Sequence, residues 1–282
     1  MEKCRFEEEP IEVFDQLILG AGLAGLSCGT YLSEFDKNFL LIEKEQQVGG
    51  LARSLRTNGF TFDFSGHLLH LGNKESIHIF ENMIANGDLV KIKRVSHIYL
   101  DEALINYPIQ TNLIDASTKV RELCLNGLPR EAKKGGTYKS LKHYFQTTLG
   151  NGFIECFLRP YNEKLYGVPL EQLSANALGR FLPNPNYSEI LEGSKKRIVA
   201  KGYNANFFYP KAGGIDQILK LFTPNKKRIS LNNEILKIDL KEKKVECRRG
   251  NFKFKKNLVS SLPLKRFLEI ANLSKLLAGD KL

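Results

Sequence analysis

Glycines at fixed spacing are the first residues in this sequence whose arrangement could do chemistry. Gly20, Gly22 and Gly25 form "GAGLAG" between an apolar run, Phe14–Leu19, and a segment with Leu23, Leu26 and Leu32 at helical spacing. Between a strand and a helix the three glycines have separate tasks. Gly20 permits the tight turn, Gly22 lets the backbone approach a pyrophosphate, and Gly25 lets helix and strand pack closely. The helix N-terminus adds free N–H groups and the positive end of its dipole, which suit phosphate oxygens. A second strand, Phe39–Glu43, ends on an acid eighteen residues beyond Gly25 (43 − 25). There Glu43 can accept hydrogen bonds from ribose hydroxyls, and it disfavours a 2′-phosphate, which argues against NADP.

A second glycine pair follows at once. In an NAD domain the chain beyond the ribose acid continues into further strand–helix units. Here it bends within six residues into Gly49-Gly50, in "VGGLARS", followed by Arg53 and Ser54. Such a turn can bring backbone N–H groups and a cationic side chain to a longer cofactor tail, the ribityl–pyrophosphate of a flavin. The arrangement resembles the paired-glycine motif that follows the dinucleotide motif in FAD-dependent amine oxidases, protoporphyrinogen oxidases, phytoene desaturases and UDP-galactopyranose mutases. The resemblance implies FAD, not NAD, as the cofactor.

More of the chain carries the same likeness, over roughly Phe14 to Leu264. "GFTFDFSGHLLHL" looks like the segment these flavoproteins run alongside the isoalloxazine, with Ser65-Gly66-His67 where Gly-Gly-His is usual. This implies flavin contacts for Gly66 and His67. "INYPIQ", "FLRPYNEKLYG" and "LGRFLPNP" are similar to the UDP-galactopyranose mutase branch, implying a substrate-facing role for Asn162, Tyr166 and Arg180. Gly213 and Gly214 in "YPKAGGIDQIL" resemble the later glycine turn that faces the flavin. Ile235 in "NEILKI" lies on a strand like the one whose backbone contacts adenine, and "VSSLPL" looks like the strand returning to the FAD domain.

Two departures stand against the pattern. The mutases place an arginine for the substrate diphosphate just before the aromatic-Pro of the later glycine turn, and Phe208 occupies that position. Family members also run on to a Gly-Asp motif whose helix covers the flavin phosphates. Gly279-Asp280 near the terminus is read as an accidental match, and the chain as a truncated or split product. Plainer roles compete at single positions. His67 and His70 form H-x-x-H, but on a strand the two face opposite ways and no third ligand is near, so metal is not expected. His67 is otherwise a hydrogen-bonded structural histidine, and Asp63 a satisfier of turn N–H groups. Arg159, Asn162, Lys164 and Tyr166 have the spacing of a solvated helix face.

The elements that must hold these residues follow from periodicity. Phe14–Leu19 and Phe39–Glu43 read as buried strands flanking a short helix, a unit that calls for a parallel sheet. Phe60, Phe62 and Phe64 alternate with Thr61 and Asp63 as in a half-exposed strand. From about Ile77 the texture changes: "VSHIYLDEALINY" reads as a hairpin, and helical patterns dominate afterwards. "FFYPKAGGIDQILKLF" gives a glycine turn and an amphipathic helix. Strands joined by polar turns such as "RRGN" then follow. The expected fold class is α/β: a Rossmann-like FAD-binding domain of residues 14–76 and 205–282 after a tail of residues 1–13, with a mainly helical substrate domain, 77–204, inserted.

Composition bounds the rest. The 282 residues carry a formal charge of +11, which favours acidic partners: a phosphorylated or nucleotide-linked small molecule, or peripheral contact with an anionic membrane surface. No nucleic-acid motif accompanies the lysines, and nucleic acid is not an expected partner. The acidic start "MEKCRFEEEPIE" lacks the basic and apolar regions of a signal peptide, and the five cysteines show no CxxC spacing, so a reducing cytoplasm is the default. The oligomeric state stays open. So do three functions: a mutase-like enzyme working at the flavin N5 with no net redox change, a flavin oxidoreductase accepting hydride from an amine or polyprenyl substrate, and a non-catalytic remnant.

Overall fold

The computed structural model describes residues 11–129, 137–176, 186–197 and 206–273. The chain forms two compact units, residues 1–90 with 208–282, and residues 91–207. In the first unit, strand β1 (Glu12–Leu19) runs into helix α1 (Leu23–Glu34) and strand β2 (Phe39–Ile42). Leu17 and Leu19 on one side of β1 and Ile18 on the other are all fully buried. Side chains of a strand alternate between its two faces, so a run without polar residues marks a strand covered on both. Above it, α1 packs Leu26 and Leu32 against Ile18, Phe39 and Leu41.

The chain next makes a hairpin, β3 (Ser54–Thr57) and β4 (Phe60–Asp63), turning at Asn58-Gly59 with both residues in positive φ. Helix α2 (Lys74–Ala85) begins at Asn73, whose side chain accepts from the Ser76 N–H at 2.8 Å in a capping box. The sequence places this helix with the inserted domain. It belongs to the first unit instead, because its Phe80 is buried with Leu89, Ile215 and Ile218. Strand β5 (Leu89–Lys93) leads out of that unit.

The second unit is mainly helical. It opens with the hairpin β6 (His97–Leu100) and β7 (Ala103–Asn106), whose two turn residues, Asp101 and Glu102, both have positive φ. Helices α3 (Thr118–Asn126), α4 (Leu141–Thr148), α5 (Gly150–Phe153), α6 (Arg159–Tyr166) and α7 (Tyr187–Gly193) follow. Their core holds Leu113, Val120, Cys124, Phe145, Phe153, Ile154 and Leu158. A π-helical turn, Ile154–Leu158, joins α5 to α6. Pro160 explains it: the ring has no N–H to donate and crowds the carbonyl four residues back, so the turn widens.

Strand β8 (Asn206–Pro210) returns the chain to the first unit. A 3₁₀ segment, Ile215–Leu221, stands where the sequence predicts an amphipathic helix. Its first N–H groups are drawn sideways to the β3–β4 hairpin, and Pro224 lies just beyond its end. Strands β9 (Ile229–Ser230), β10 (Ile235–Asp239), β11 (Lys244–Cys247) and β12 (Gly250–Ser260) and helix α8 (Leu264–Ile270) complete the unit. The main sheet has the order β10-β11-β12-β1-β2-β9, with β12, β1, β2 and β9 parallel and β10, β11 and β12 an antiparallel meander. This is a Rossmann-like sheet with a meander attached.

In the second unit α3 and α5 meet with their backbones in contact. A Cβ on Gly152 would lie 2.0 Å from the Leu123 carbonyl oxygen, and one on Gly150 would lie 1.8 Å from that of Gly127. Gly152→Ala must therefore separate the helices. The expected loss is about 3 kcal/mol, at the upper end for overpacking, read as a lower urea midpoint with an unchanged slope.

Candidate functional site

The site residues of the first unit converge at the C-terminal end of β1. Gly20 turns the chain with φ +93°, and its N–H donates to the Ile42 carbonyl at 2.8 Å. A Cβ on Gly25 would sit 1.9 Å from the Gly20 oxygen, so α1 rests directly on the turn that precedes it. Gly22 is the N-cap of α1 and brings no capping side chain, and a Cβ there would meet nothing within 4 Å. The open space therefore lies over a helix N-terminus whose first donors lack a side-chain cap, as an anionic group requires.

The second glycine pair is laid on the first. The Gly49 N–H donates to the Ala21 carbonyl at 2.8 Å, Gly22 and Gly49 form a parallel bridge, and a Cβ on Gly50 would come 3.0 Å from the Gly22 Cα. Gly49 and Gly50 have φ +113° and +55°, a region that side-chain-bearing residues seldom adopt. The two turns thus share one backbone surface.

Glu43 does more than the sequence assigns to it. Its carboxylate accepts from the Ala21 N–H at 2.7 Å and from the Glu45 N–H at 2.9 Å, and the side chain is buried. The acid first fixes the glycine turn, and each oxygen keeps a second lone pair that a ribose hydroxyl could use. Three residues missed by the sequence reading hold the same region. The Ser261 hydroxyl lies 3.0 and 3.1 Å from the carbonyls of Leu19 and Gly20. Asn232 and Asn233 donate their N–H groups to the carbonyls of Glu45 and Glu43, and the fully buried Asn233 amide bonds Ser230 and the Arg249 N–H. The "NN" before Ile235 is the only trace of this clamp in the sequence. Ile235 itself is buried on β10 opposite Cys247.

Arg53 and Ser54 are engaged within the chain. Arg53 donates from Nε to the Gly50 carbonyl at 2.8 Å, and its guanidinium carbon lies 4.9 Å from the centre of the Phe64 ring. The arginine braces the second turn through Nε. Ser54 donates to Asp63 at 2.7 Å and accepts from the Asp216 N–H. Asp63 also accepts from the Tyr209 hydroxyl and the Ile215 N–H, so it satisfies the later glycine turn, the plainer of its two roles. A Cβ on Gly214 would strike Ser54 Oγ at 2.0 Å, and Gly213 has φ +76°. Arg56 and Asp216 add a bidentate pair at 2.7 and 2.8 Å.

Burial works to raise Asp63, but the hydrogen bonds from Tyr209, Ser54 and Ile215 prevail and hold its carboxyl below the usual value. Tyr209 is pushed up to about 12, first by burial and then by Asp63. Gly66 stands in open space, and His67 Nδ1 lies 2.8 Å from the Ser65 carbonyl. A carbonyl oxygen only accepts, so that bond places a proton on Nδ1. Phe208 pairs with Leu69 through both backbone bonds and packs beside Phe80 and Ile215. It is an apolar packing residue where the mutase pattern has a cation.

In the second unit, Asn162 is 4% exposed and donates to the Leu158 carbonyl at 2.6 Å. Its amide N–H serves the Leu158 carbonyl, and its burial corrects the solvated-face reading at this position. Tyr166, at the end of α6, is 41% exposed. Arg180, Gly279-Asp280 and the start of the tail lie outside the described residues. Among the described residues, no three His, Cys, Asp or Glu are placed to hold a metal, and no helix is long and apolar enough to cross a membrane.

Comparisons with known proteins agree with this geometry. A family described as "NAD(P)-binding Rossmann-like domain" matches residues 18–83, which include both glycine turns. A reduced UDP-galactopyranose mutase has a similar structure, with a TM-score of 0.81 at 25% identity over 91% of this chain and 57% of that one. The chain is similar to proteins of the FAD-dependent oxidoreductase superfamily in fold and in sequence. Two curated proteins are similar in sequence. The UDP-galactopyranose mutase of Mycoplasma pneumoniae is 26% identical over 59% of this chain and 44% of its own length. The 4,4'-diapolycopene oxygenase of a Methylomonas species is 28% identical over 67% of this chain and 39% of its own. The chain thus spans less than half the length of these two curated proteins.

Two glycines separate binding from folding. Gly25→Ala should lower the melting temperature with or without ligand. Gly22→Val, in extended backbone facing open space, should leave the free protein within about 2 °C of wild type and weaken FAD binding at least tenfold, about 1.4 kcal/mol. Differential scanning fluorimetry and flavin titration measure both. A pH profile tests the Asp63–Tyr209 pair. The stability from lowered Asp63 is complete above its unfolded value of 3.8 and is lost as pH falls, whereas that from raised Tyr209 is complete below 10 and is lost as pH rises through about 12. Tyr209→Phe should abolish the alkaline limb of the melting-temperature profile.

Proposed function

We propose that the first unit binds FAD across its joined glycine turns and that the chain is a mutase-like flavoenzyme acting on a nucleotide sugar. The observation that carries the cofactor reading is the Gly22–Gly49 contact beneath open space at the N-terminus of α1. A plain NAD unit has no use for a second turn laid on the first, whereas a flavin has a ribityl chain to be met there. Backbone N–H groups of both turns would hold the pyrophosphate, and Glu43 would offer its spare lone pairs to the ribose. The Ser54–Asp63–Tyr209 network would keep the Gly213-Gly214 turn against the β3–β4 hairpin, and Gly66 and His67 would border the ring. Flavin supplies either a nucleophilic nitrogen or a hydride acceptor, and the protein supplies orientation and exclusion of water. The substrate in this reading is a phosphorylated or nucleotide-linked small molecule, with no nucleic-acid partner called for and the cytoplasm as compartment.

A second reading, an FAD oxidoreductase of desaturase type, is favoured by two observations. Phe208 removes the cation expected for a diphosphate, and Phe60, Phe62 and Phe64 on the hairpin are 67%, 53% and 53% exposed, an apolar surface suited to a polyprenyl chain. Turnover under reducing conditions without an electron acceptor supports the mutase. Acceptor-dependent turnover supports the desaturase. For the cofactor itself, FAD at a hundred times its Kd should stabilise the fold by about 2.7 kcal/mol, and NAD and NADP by nothing measurable. An equal thermal shift with NAD would overturn the flavin assignment.

A further inference from the structure

By spacing the five cysteines are unconnected, yet the second unit brings two of them together. Cys124 lies on α3 and Cys156 in the π turn, with Sγ atoms 3.4 Å apart. Backbone geometry enforces the approach. Gly127, Gly150 and Gly152 let α3 and α5 touch main chain to main chain, and the π turn follows α5 directly. Cys124 is fully buried, whereas Cys156 is partly open to solvent. Among the described residues no third metal-binding side chain joins them, so the pair is a dithiol and not a metal site.

We propose that Cys124 and Cys156 form a redox site, oxidised by a hydroperoxide, in which Cys156 attacks and Cys124 resolves. The two thiols differ in the needed sense. The hydrogen bond between the two sulfurs lowers Cys156 below the usual thiol value, while the same bond, together with burial, holds Cys124 above it. The Cys156 thiolate attacks one peroxide oxygen, the O–O bond breaks, and a sulfenic acid forms as water leaves. The Cys124 sulfur then attacks the sulfenic sulfur, the S–O bond breaks, and a second water carries off the thiol proton. Two thiols lose two electrons and one peroxide gains them, giving one disulfide and two waters. The sulfurs must close from 3.4 Å to about 2.05 Å. The bond would tie α3 to the turn that leads into α6, the helix of Asn162 and Tyr166. This site is independent of the cofactor assignment.

The test is cysteine mapping of the full chain. The protein is treated with hydrogen peroxide, alkylated, digested without reductant and analysed by mass spectrometry. The expected product is a Cys124–Cys156 linked peptide lighter by two hydrogens, reversed by dithiothreitol, with Cys28 and Cys247 still alkylated. Oxidation should also raise the melting temperature by about 5 °C, and Cys156→Ser should lose both effects. In Cys124→Ser, dimedone should label Cys156. Two free thiols after peroxide treatment that fully oxidises free dithiothreitol would overturn the site, as would pairing of either cysteine with any other. Mapping of the wild type decides the matter even if a variant fails to fold.

Discussion

Two stretches of main chain lie against each other at the end of β1, and the geometry of the candidate site depends on that contact. Gly22 and Gly49 pair as strands do, and Gly50 sits within 3.0 Å, measured from its would-be Cβ, of the Gly22 backbone. Any side chain at Gly50 would push the turns apart. Glu43 makes the contact rigid from below by taking the Ala21 N–H, while Gly49 donates to the Ala21 carbonyl. Both polar groups of one peptide neighbourhood are thereby satisfied inside the protein. The helix N-terminus carries no side-chain cap, and the space over Gly22 is open.

The later glycine turn follows the same logic with side chains in place of backbone. Asp63 gathers a serine hydroxyl, a tyrosine hydroxyl and a main-chain N–H, and so fastens the turn at Gly214 to the hairpin. The carboxylate stays ionised in partial burial because its acceptor positions are filled. In the second unit, glycines again allow close main-chain approach, at Gly127, Gly150 and Gly152, and two sulfurs come into contact beside it. Close approach of backbone, more than bulky packing, sets the special geometry in both units.

The sequence by itself determined the nucleotide fold and the order of its parts. Short apolar runs ending at glycine, an acid at the close of the second strand and paired glycines beyond it are local signals, because each turn needs its own residue type in its own place. The hairpin over residues 97–106 was legible for the same reason. Tertiary structure alone decided which polar groups were already taken. Glu43, Arg53, Ser54 and Asn162 have the residue types of ligand contacts, yet each has a partner within the protein that spacing does not reveal. Ser261 and Asn233 lie inside quoted motifs that say nothing of their hydrogen bonds, and the Cys124–Cys156 pair carries no motif, since the partners are distant in the chain. A hydrogen bond or a sulfur contact depends on three-dimensional distance, and periodicity records only the neighbours along the chain. For that reason the α2 helix, polar and amphipathic like those that follow it, disclosed its unit only when Phe80 was seen packed on Ile215 and Ile218.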